Sequence, residues 1–426
     1  MMAARTTGSR ISRVTVTPVA FADPPLLNVV GVHQPFALRA IVQIHTDTGL
    51  VGLGETYADE THLARLGAVA AAVPGTPIWD VNALRRVVVE TLGAAPSGGG
   101  QSFGGMLDLD SAVDPVFSPF EVACLDLQGK ETGRPVSDLL GGAVRDRVPF
   151  SAYLFYKWAG HPGHPDDDWG EALTPDQLVA QAQRMWAAYG FTAIKLKGGV
   201  LPPAEEVAAM HALRDAFPDH KLRIDPNGAW TVETSAKVAA ELAGVIEYLE
   251  DPTPGIQGMA EVARTTELPL ATNMCVIAFE HLEPAIRARA VDVVLSDHHL
   301  WGGLQRSRTL AGICDTFGLG LSMHSNSHLG ISLAAMTHLA AATPNLTYAC
   351  DTHYPWKTED VVTAGVLEFV DGAVAVPTGP GLGVELDEDA LGVLHEQYLT
   401  CGVRRREDTV YMRSVQSDFE VNTARW

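Results

Sequence analysis

A run of repeating strand-and-helix units most constrains the fold of this chain. From about residue 148, short apolar segments recur, and each ends in polar residues before a helical stretch. They are, in order, VPFSAYLFY, FTAIKLKGG, HKLRIDPNG, GVIEYLEDP, LPLATNMCV, VDVVLSDHH, GLGLSMHSN and TYACDTHYP. From Lys195 onward the spacing is about 25–30 residues, the size of one βα unit. Eight such units close into an α/β barrel, which is the fold that we predict.

The segment before the barrel predicts a separate α+β domain. The β-branched runs RVTVTPVAF and ALRAIVQIHTDTGLVGLGETY, the second interrupted by DTG, predict an antiparallel meander or hairpin. Helical stretches follow these strands, and that order is typical of an α+β domain. The glycine-rich segment GAAPSGGGQSFGG predicts a mobile loop.

Composition excludes several classes of partner. The formal net charge is −21, from 30 basic and 51 acidic residues, which argues against binding to nucleic acid or to an anionic membrane. Five cysteines are scattered singly, as expected of a reduced cytoplasmic protein. We find neither a membrane-spanning apolar run nor a secretion signal, so we expect a cytoplasmic location. The sequence favours neither a monomer nor a homo-oligomer.

Polar side chains end every predicted barrel strand. In a parallel barrel the carboxyl ends of the strands form one face, and that face carries the chemistry. The residues concerned are Tyr153, Lys195, Lys197, Asp225, Asn227, Glu250, Asn273, Asp297, His324, Asn326, Asp351 and His353. We therefore expect an active site there.

Asp225, Glu250 and Asn273 follow three consecutive predicted strands. Three oxygen donors, two of them anionic, suit a hard divalent cation, above all Mg²⁺. The alternative is that each side chain only caps the helix after it. Because the three residues occupy equivalent positions at three consecutive strand ends, we favour the metal site.

Two candidate bases flank these ligands. Lys195 and Lys197 point to one face of a strand, and buried ammonium groups there require anionic partners. A lysine beside another cation can act as a base. His324 comes about four strands later with Asp297 one strand before it, an arrangement that orients an imidazole, although a lone buried histidine is often structural. A metal between two bases indicates abstraction of a proton next to a carboxylate, with the metal stabilising the enediolate.

The motifs KLKGG, RIDPNGAW, EYLEDP, ATNMCV, SDHHLWGG, MHSNSHLGIS, DTHYPW and GPGLGVELDEDAL occur in this order. Together they resemble the glucarate dehydratase group of the enolase superfamily, which is mandelate-racemase-like. The resemblance implies a modified (β/α)₇β TIM barrel with an N-terminal α+β capping domain. We accordingly expect a cap at residues 1–140, of which 1–13 are disordered, a catalytic barrel at 141–375, and a C-terminal segment at 376–426 that returns to the cap.

The same resemblance implies roles for the residues. By this resemblance, Asp225, Glu250 and Asn273 bind the Mg²⁺. Lys197 is the base on one face, and Lys195 contacts the substrate carboxylate. His324, paired with Asp297, is the second base, and Asn227 hydrogen-bonds to the enediolate. In such a dehydratase His324 would remove the C5 proton of D-glucarate and return a proton to the departing C4 hydroxyl. The products would be 5-dehydro-4-deoxy-D-glucarate and water. Lys197 would act on the opposite face, for a substrate epimeric at C5.

The resemblance places substrate contacts at Asn28, His33, Tyr153, Asn326, His353 and Arg406. Arg406 suits a distal carboxylate because a guanidinium binds it bidentately, although RRRED also reads as a solvated charge run. The family's threonine-containing cap stretch is absent from GMLDLDSAVDPVFSPFEVACLDLQGK, and PSGGGQSFGG does not align. A dehydratase or epimerase of another aldonate or aldarate, and a non-catalytic relative, therefore stay open. A metal-dependent hydrolase is disfavoured, because the first strand has no HxH pair.

Overall fold

The computed structural model describes residues 8–93, 113–421 and 424–426. The first domain is built on an antiparallel sheet with the strand order β1–β4–β5. Its elements are β1 (Ile11–Ala22), β2 (Leu27–Asn28), β3 (Gly31–Val32), β4 (Phe36–Thr46), β5 (Val51–Tyr57), α1 (Glu60–Ala72), α2 (Val81–Leu92), α3 (Val113–Thr132) and α4 (Val136–Leu139). The predicted meander and its helices are therefore present.

Two details of the N-terminal prediction need comment. Residues 1–7 lie outside the described residues, but β1 begins at Ile11 and Ser9 donates to Glu131 Oε1 through its backbone N–H at 3.0 Å. The predicted disorder of residues 1–13 is wrong for residues 11–13, because β1 pairs with β4 there. The predicted mobile loop lies outside the described residues from residue 94 onward.

One face of the cap sheet packs against α3 at very short range. Alternate residues of β4, Ala40, Val42 and Ile44, are fully buried among apolar side chains of the helices. A Cβ at Gly52 or Gly54 of β5 would lie 2.3 Å and 2.1 Å from backbone oxygens of α3. Only glycine permits this close packing of β5 on α3.

The second domain is the predicted barrel. Its elements are β6 (Arg147–Pro149), β7 (Ser151–Phe155), α5 (Pro175–Tyr189), β8 (Ala193–Lys197), α6 (Pro203–Ala216), β9 (Lys221–Asp225), α7 (Val232–Glu241), β10 (Tyr248–Glu250), α8 (Gly255–Ala263), β11 (Leu270–Thr272), α9 (Phe279–Ala288), β12 (Val293–Ser296), α10 (His298–Trp301), α11 (Leu304–Phe317), β13 (Gly320–Met323) and α12 (Gly330–Ala341). Strands β7 to β13 form one parallel sheet in chain order. Their inner side chains meet at the carboxyl-terminal mouth.

The eighth predicted strand closes the barrel with a minimal backbone ladder. Cys350 N–H donates to Pro149 O at 2.9 Å, and Asp351 N–H donates to Met323 O at 2.8 Å. These bonds join β13 to the first barrel strand around residue 350, with Phe150 and Cys350 forming a parallel bridge. The chain therefore has seven full strands and one closing segment, and the site residue Asp351 stands at its end.

The C-terminal segment returns to the cap. It contains α13 (Glu388–Thr400) and α14 (Asp408–Val415), and it follows β14 (Phe369–Val370) and β15 (Ala373–Ala375), of which β15 pairs with β6 of the barrel domain. His395 Nδ1 donates to Pro18 O at 2.7 Å, and Gln397 Nε2 donates to Ala20 O at 3.0 Å, which attaches α13 along β1. Helix α14 lies beside β3, where Thr409 Oγ1 donates to Val30 O. Among the described helices, none is long and apolar enough to cross a membrane.

Candidate active site

Lys195 and Lys197 share one face of β8, and both meet the carboxylate of Asp225. The Nζ–Oδ2 distances are 3.5 Å from Lys195 and 2.7 Å from Lys197. Lys195 Nζ also lies 2.7 Å from Glu250 Oε1 and 2.7 Å from Asp351 Oδ2. The inward face of a strand buried on both sides thus carries two ammonium groups, and neighbouring strand ends supply their anionic partners.

The charges of this cluster act strongly on one another. Burial lowers the pKa of Lys195, but Asp351 and Glu250 outweigh it and raise that pKa well above its ordinary value. Burial raises the pKa of Asp225, but Lys197 and Lys195 outweigh it and bring that pKa to about 2. For Glu250, burial raises the pKa well above its ordinary value, opposed by Lys195 and reinforced by Asp225. The cluster therefore carries more acidic groups than its lysines neutralise, and a further cation would be stabilised there.

The oxygens at this place fit a metal ion. Glu250 Oε2, Asn273 Oδ1 and Asn227 Oδ1 are buried and have no hydrogen-bond partner among the described residues. An unpaired buried polar atom is costly, so such atoms usually serve a ligand or water. Asp251 holds the Asn273 backbone, accepting from its N–H at 2.8 Å. Carboxylate and amide oxygens are the donors that Mg²⁺ prefers.

Asn227 lies in a turn that returns it to Asp225. Its φ is +54°, in the left-handed region that asparagine tolerates. Its backbone N–H and its Nδ2 donate to Asp225 Oδ1 at 3.0 Å and 3.2 Å, and Nδ2 also contacts Met274 Sδ at 3.1 Å. The side-chain oxygen is thereby left free toward the cluster.

His324 follows β13 and is paired with Asp297, as the sequence predicts. His324 Nδ1 lies 3.1 Å from Asp297 Oδ2, and both residues are buried. Burial raises the pKa of Asp297, but His299 and the hydrogen bonds from His299 and His324 outweigh it and hold that pKa well below its ordinary value. Asp297 is therefore an ionised carboxylate that orients the imidazole.

A second possible metal-ligand group, Asp297, His298 and His299, lies at the same strand end. Asp297 already accepts from two histidine rings, and His299 Nε2 lies 2.9 Å from Arg39 Nη2. A cation there would compete with a guanidinium and with existing hydrogen bonds. We assign no metal to this group.

Tyr153 and His353 line the mouth beside the lysines. The Tyr153 hydroxyl lies 3.4 Å from Asp225 Oδ2, and Lys195 Nζ lies 4.6 Å from the centre of its ring. The His353 ring stands edge-on to Tyr153 with centroids 4.7 Å apart. Burial, reinforced by His33 and His324, lowers the pKa of His353 well below its ordinary value. His353 is thus a neutral imidazole at the site.

The remaining predicted substrate residues come from the loop after β13, from the cap and from the tail. Asn326 Nδ2 donates to Tyr57 Oη at 2.9 Å. The His33 ring stands edge-on to Phe155, with centroids 5.9 Å apart, and its Nδ1 lies 3.0 Å from Asp23 Oδ2. Both residues therefore lie beside the barrel mouth.

Asn28 and Arg406 share one carboxylate. Asn28 Nδ2 donates to Asp408 Oδ2 at 3.3 Å, and Arg406 donates to the same oxygen from Nε at 2.9 Å and from Nη2 at 2.7 Å. The Arg406 side chain is 22% exposed. The interpretation of this arginine as part of a solvated charge run is wrong, because it is held against Asp408.

Sequence reasoning missed several polar residues around the site. Asp351 appeared as a strand end without a role, although it contacts Lys195. For Asp251, the only indication in the sequence is its position next to the candidate ligand Glu250. Arg39, in the apolar run FALRAIVQ, is 1% exposed; a charge inside such a run signals a buried partner, but the sequence does not name that partner.

Comparison with known proteins supplies the family. Residues 177–390 match the family model described as enolase C-terminal domain-like. A probable glucarate dehydratase of Streptomyces coelicolor is 52% identical, over 98% of this chain and 99% of that protein.

Two solved structures share the whole fold. An enolase from Mycobacterium smegmatis complexed with tartrate is 66% identical with a TM-score of 0.95, over 100% of both chains. An enolase from Pseudomonas fluorescens with bound magnesium, potassium and tartrate is 53% identical with a TM-score of 0.94, over 98% of this chain and 100% of that one. With a two-domain fold of this kind and a barrel mouth carrying lysine, carboxylate and histidine groups, the chain belongs to the enolase superfamily and is an enzyme of its dehydratase (lyase) type.

Proposed function

We propose that this enzyme is a Mg²⁺-dependent acid-sugar dehydratase and that its substrate is D-glucarate. The observation that carries the proposal is the order of side chains around the barrel mouth. Lys197 stands on β8 and His324 follows β13, while Asp225, Glu250 and Asn273 stand at or just after the ends of the strands between them. Two bases on opposite sides of an oxygen-ligand set suit removal of a proton next to a carboxylate from either face.

Asp225, Glu250 and Asn273 would hold the Mg²⁺. The unpaired oxygens of Glu250 and Asn273, and the excess of acidic groups, support this assignment. The magnesium bound in the Pseudomonas fluorescens structure supports the choice of metal. When bound, the ion would supply positive charge beside the substrate carboxylate and so stabilise the anion that forms when the neighbouring carbon loses its proton.

His324 would act on D-glucarate through Nε2, because Asp297 engages Nδ1. It takes the C5 proton, and the electron pair of that bond passes into the adjacent carboxylate as an enediolate. The pair then returns to form C4=C5, the C4–O bond breaks, and the departing hydroxide takes the proton from His324. The enol left at C5 becomes the ketone, so that the products are 5-dehydro-4-deoxy-D-glucarate and water.

Lys195, Lys197 and Asn227 complete the proposed machinery. Lys195 remains a fixed cation that contacts the substrate carboxylate, because two carboxylates raise its pKa. Lys197 serves as the base for the C5 epimer, on the opposite face. Asn227 contributes hydrogen bonding to the enediolate.

Two observations support a dicarboxylate substrate: the ligand in two structural neighbours, and the polar residues of this chain that lie away from the proposed metal site. Tartrate, a hydroxylated dicarboxylate, is bound in both structural neighbours described above. In this chain Asn28, His33, Tyr153, Asn326, His353 and Arg406 would contact the acid sugar, with Arg406 directed to the distal carboxylate. The five cysteines are all free, which supports a reducing, cytoplasmic location.

The test is a screen of acid sugars with Mg²⁺. It includes glucarate, idarate, galactarate, gluconate, galactonate and mannonate, and it measures 2-keto-3-deoxy product. Turnover of D-glucarate that EDTA abolishes is the expected result. Activity on another acid sugar alone would refute the substrate assignment and leave the reaction class, whereas exchange of the α-proton without elimination would indicate an epimerase. The absence of turnover for every acid sugar in the set would favour a non-catalytic relative.

A further inference from the structure

A chain of buried hydrogen bonds joins the cap domain to the Asp297–His324 pair. Arg39 on β4 donates from Nη2 to His299 Nε2 at 2.9 Å. His299 Nδ1 lies 2.8 Å from Asp297 Oδ1, and His324 Nδ1 lies 3.1 Å from Asp297 Oδ2. The four residues are 1%, 4%, 2% and 5% exposed in the order Arg39, His299, Asp297 and His324. Neither Arg39 nor His299 has a place in the proposed reaction.

The donors and acceptors of this chain determine the tautomer of His299. A guanidinium carries only donors, so His299 Nε2 must be the acceptor and carries no proton. Nδ1 therefore carries the proton and donates to Asp297. A proton on Nε2 would place two donors face to face, so the contact with Arg39 specifies the Nδ1–H tautomer of His299.

The consequence reaches His324 through the two oxygens of Asp297. His299 occupies Oδ1 with both its backbone N–H, at 2.9 Å, and its ring N–H. Oδ2 is then the oxygen that accepts from Nδ1–H of His324, which leaves the lone pair of His324 Nε2 for the substrate.

We propose that Arg39 and His299 are positioning residues for the base His324. Arg39 fixes His299 as the Nδ1–H tautomer, and His299 fixes Asp297 in the orientation that keeps His324 Nε2 unprotonated and directed at the substrate. The cap thereby controls one of the two bases, because Arg39 belongs to the cap while its partners belong to the barrel.

The surroundings of Arg39 support a positional role. Glu55 Oε1 accepts from its Nε at 2.8 Å, and its guanidinium lies 4.6 Å from the centre of the Tyr57 ring. Ser332 Oγ, at the start of α12, lies 3.0 Å from His299 Nε2. Ser332 Oγ also accepts from Arg39 Nη2 at 3.3 Å, so the arginine is held by Glu55, by the Tyr57 ring and by Ser332.

The kinetic test rests on the proposed function and compares two substrates. D-Glucarate uses His324, and its C5 epimer L-idarate uses Lys197. We expect His299→Leu to lower kcat on D-glucarate about 10- to 100-fold, the usual effect of removing an outer partner of a functional histidine, with KM and L-idarate turnover little changed. His299→Asn should restore much of the activity, because its amide can donate to Asp297 in place of Nδ1.

A matched control removes a buried histidine elsewhere. His338 is buried, with Nδ1 3.2 Å from Ser137 N and Nε2 3.1 Å from Leu382 O. His338→Leu should change the two activities in equal proportion. An equal loss of both activities in His299→Leu would overturn the proposal, since a purely structural role predicts that pattern.

A second measurement needs no substrate. Two-bond ¹⁵N correlation spectra of histidine-labelled protein distinguish the tautomers, with His299 assigned by its disappearance in His299→Asn. We expect a neutral Nδ1–H ring that becomes cationic or changes tautomer in Arg39→Met. A cationic or Nε2–H ring in the wild type would overturn the proposal. If neither acid sugar is turned over by the wild type, the proposed function fails, and the spectra alone decide the positioning role.

Discussion

Replacing Glu55 by glutamine should destabilise the protein by about 3 kcal/mol at neutral pH. Glu55 is fully buried on β5, at the junction of cap and barrel. Its carboxylate accepts from Arg39 Nε at 2.8 Å, and from the backbone N–H groups of Leu329 and Ser332, each at 2.8 Å. A glutamine amide would place a donor opposite one of these donors and would leave the guanidinium of Arg39 buried without its counter-charge.

The magnitude follows from the pKa of Glu55. Burial raises it, but Arg39, His328 and the two backbone N–H groups outweigh burial and lower it from 4.5 to about 2. Since a pKa shift of one unit corresponds to about 1.4 kcal/mol, the ionised form contributes about 3 kcal/mol to the free energy of unfolding. Removing one partner of a buried ion pair generally costs about 3–5 kcal/mol, which agrees with the value obtained from the pKa.

The pH dependence has a definite sign. Because the folded pKa lies below the unfolded one, the contribution is complete above pH 4.5 and is lost as the pH falls toward about 2. The difference in unfolding free energy between the wild type and Glu55→Gln should therefore be constant from pH 7 to pH 6. It should be about 1 kcal/mol smaller at pH 4.

Urea unfolding followed by tryptophan fluorescence and far-UV circular dichroism measures this difference. Glu233→Gln is the control, because its pair with Lys237 is highly exposed, at 80% and 67% for the two side chains, and such solvent-screened pairs contribute little to stability. A loss below about 1 kcal/mol for Glu55→Gln at pH 7 would refute the reasoning, as would a difference that grows on acidification.

Three further predictions concern the site. Asn273→Ala should weaken Mg²⁺ binding about tenfold or more in titration calorimetry; unchanged affinity would remove Asn273 from the ligand set. His324→Asn should abolish D-glucarate turnover while the acid still binds, and normal turnover would show that another group is the base. Arg406→Lys should raise KM for a dicarboxylate much more than KM for a monocarboxylate such as gluconate, because a lysine ammonium cannot both replace the two N–H groups that Arg406 donates to Asp408 and reach a distal carboxylate; equal changes in the two KM values would exclude a distal-carboxylate role.

The sequence predicts the barrel and its mouth well because both depend on local order. Each βα unit places its strand end on the same face, so Asp225 and Glu250 could be assigned to one site before their distances were known. The common face of Lys195 and Lys197 follows likewise from the two-residue period of a strand.

Contacts between the domains could not be predicted in this way. Arg39 and His299 are 260 positions apart, and the distance between them depends on how the cap docks on the barrel. The surroundings of Arg406 could not be predicted from the sequence either. Its carboxylate, Asp408, is two residues away, yet Asn28 from the cap completes the arrangement.

The structure also explains how two lysines on one strand face can have different roles. Lys195 contacts the carboxylates of Glu250 and Asp351 at 2.7 Å each, and their charges raise its pKa well above the ordinary value. The raised pKa suits the role of fixed cation that we propose for Lys195. Lys197 contacts Asp225 at 2.7 Å and stands at the end of β8. The number of carboxylates around each ammonium, which no spacing in the sequence reveals, thus distinguishes the two lysines.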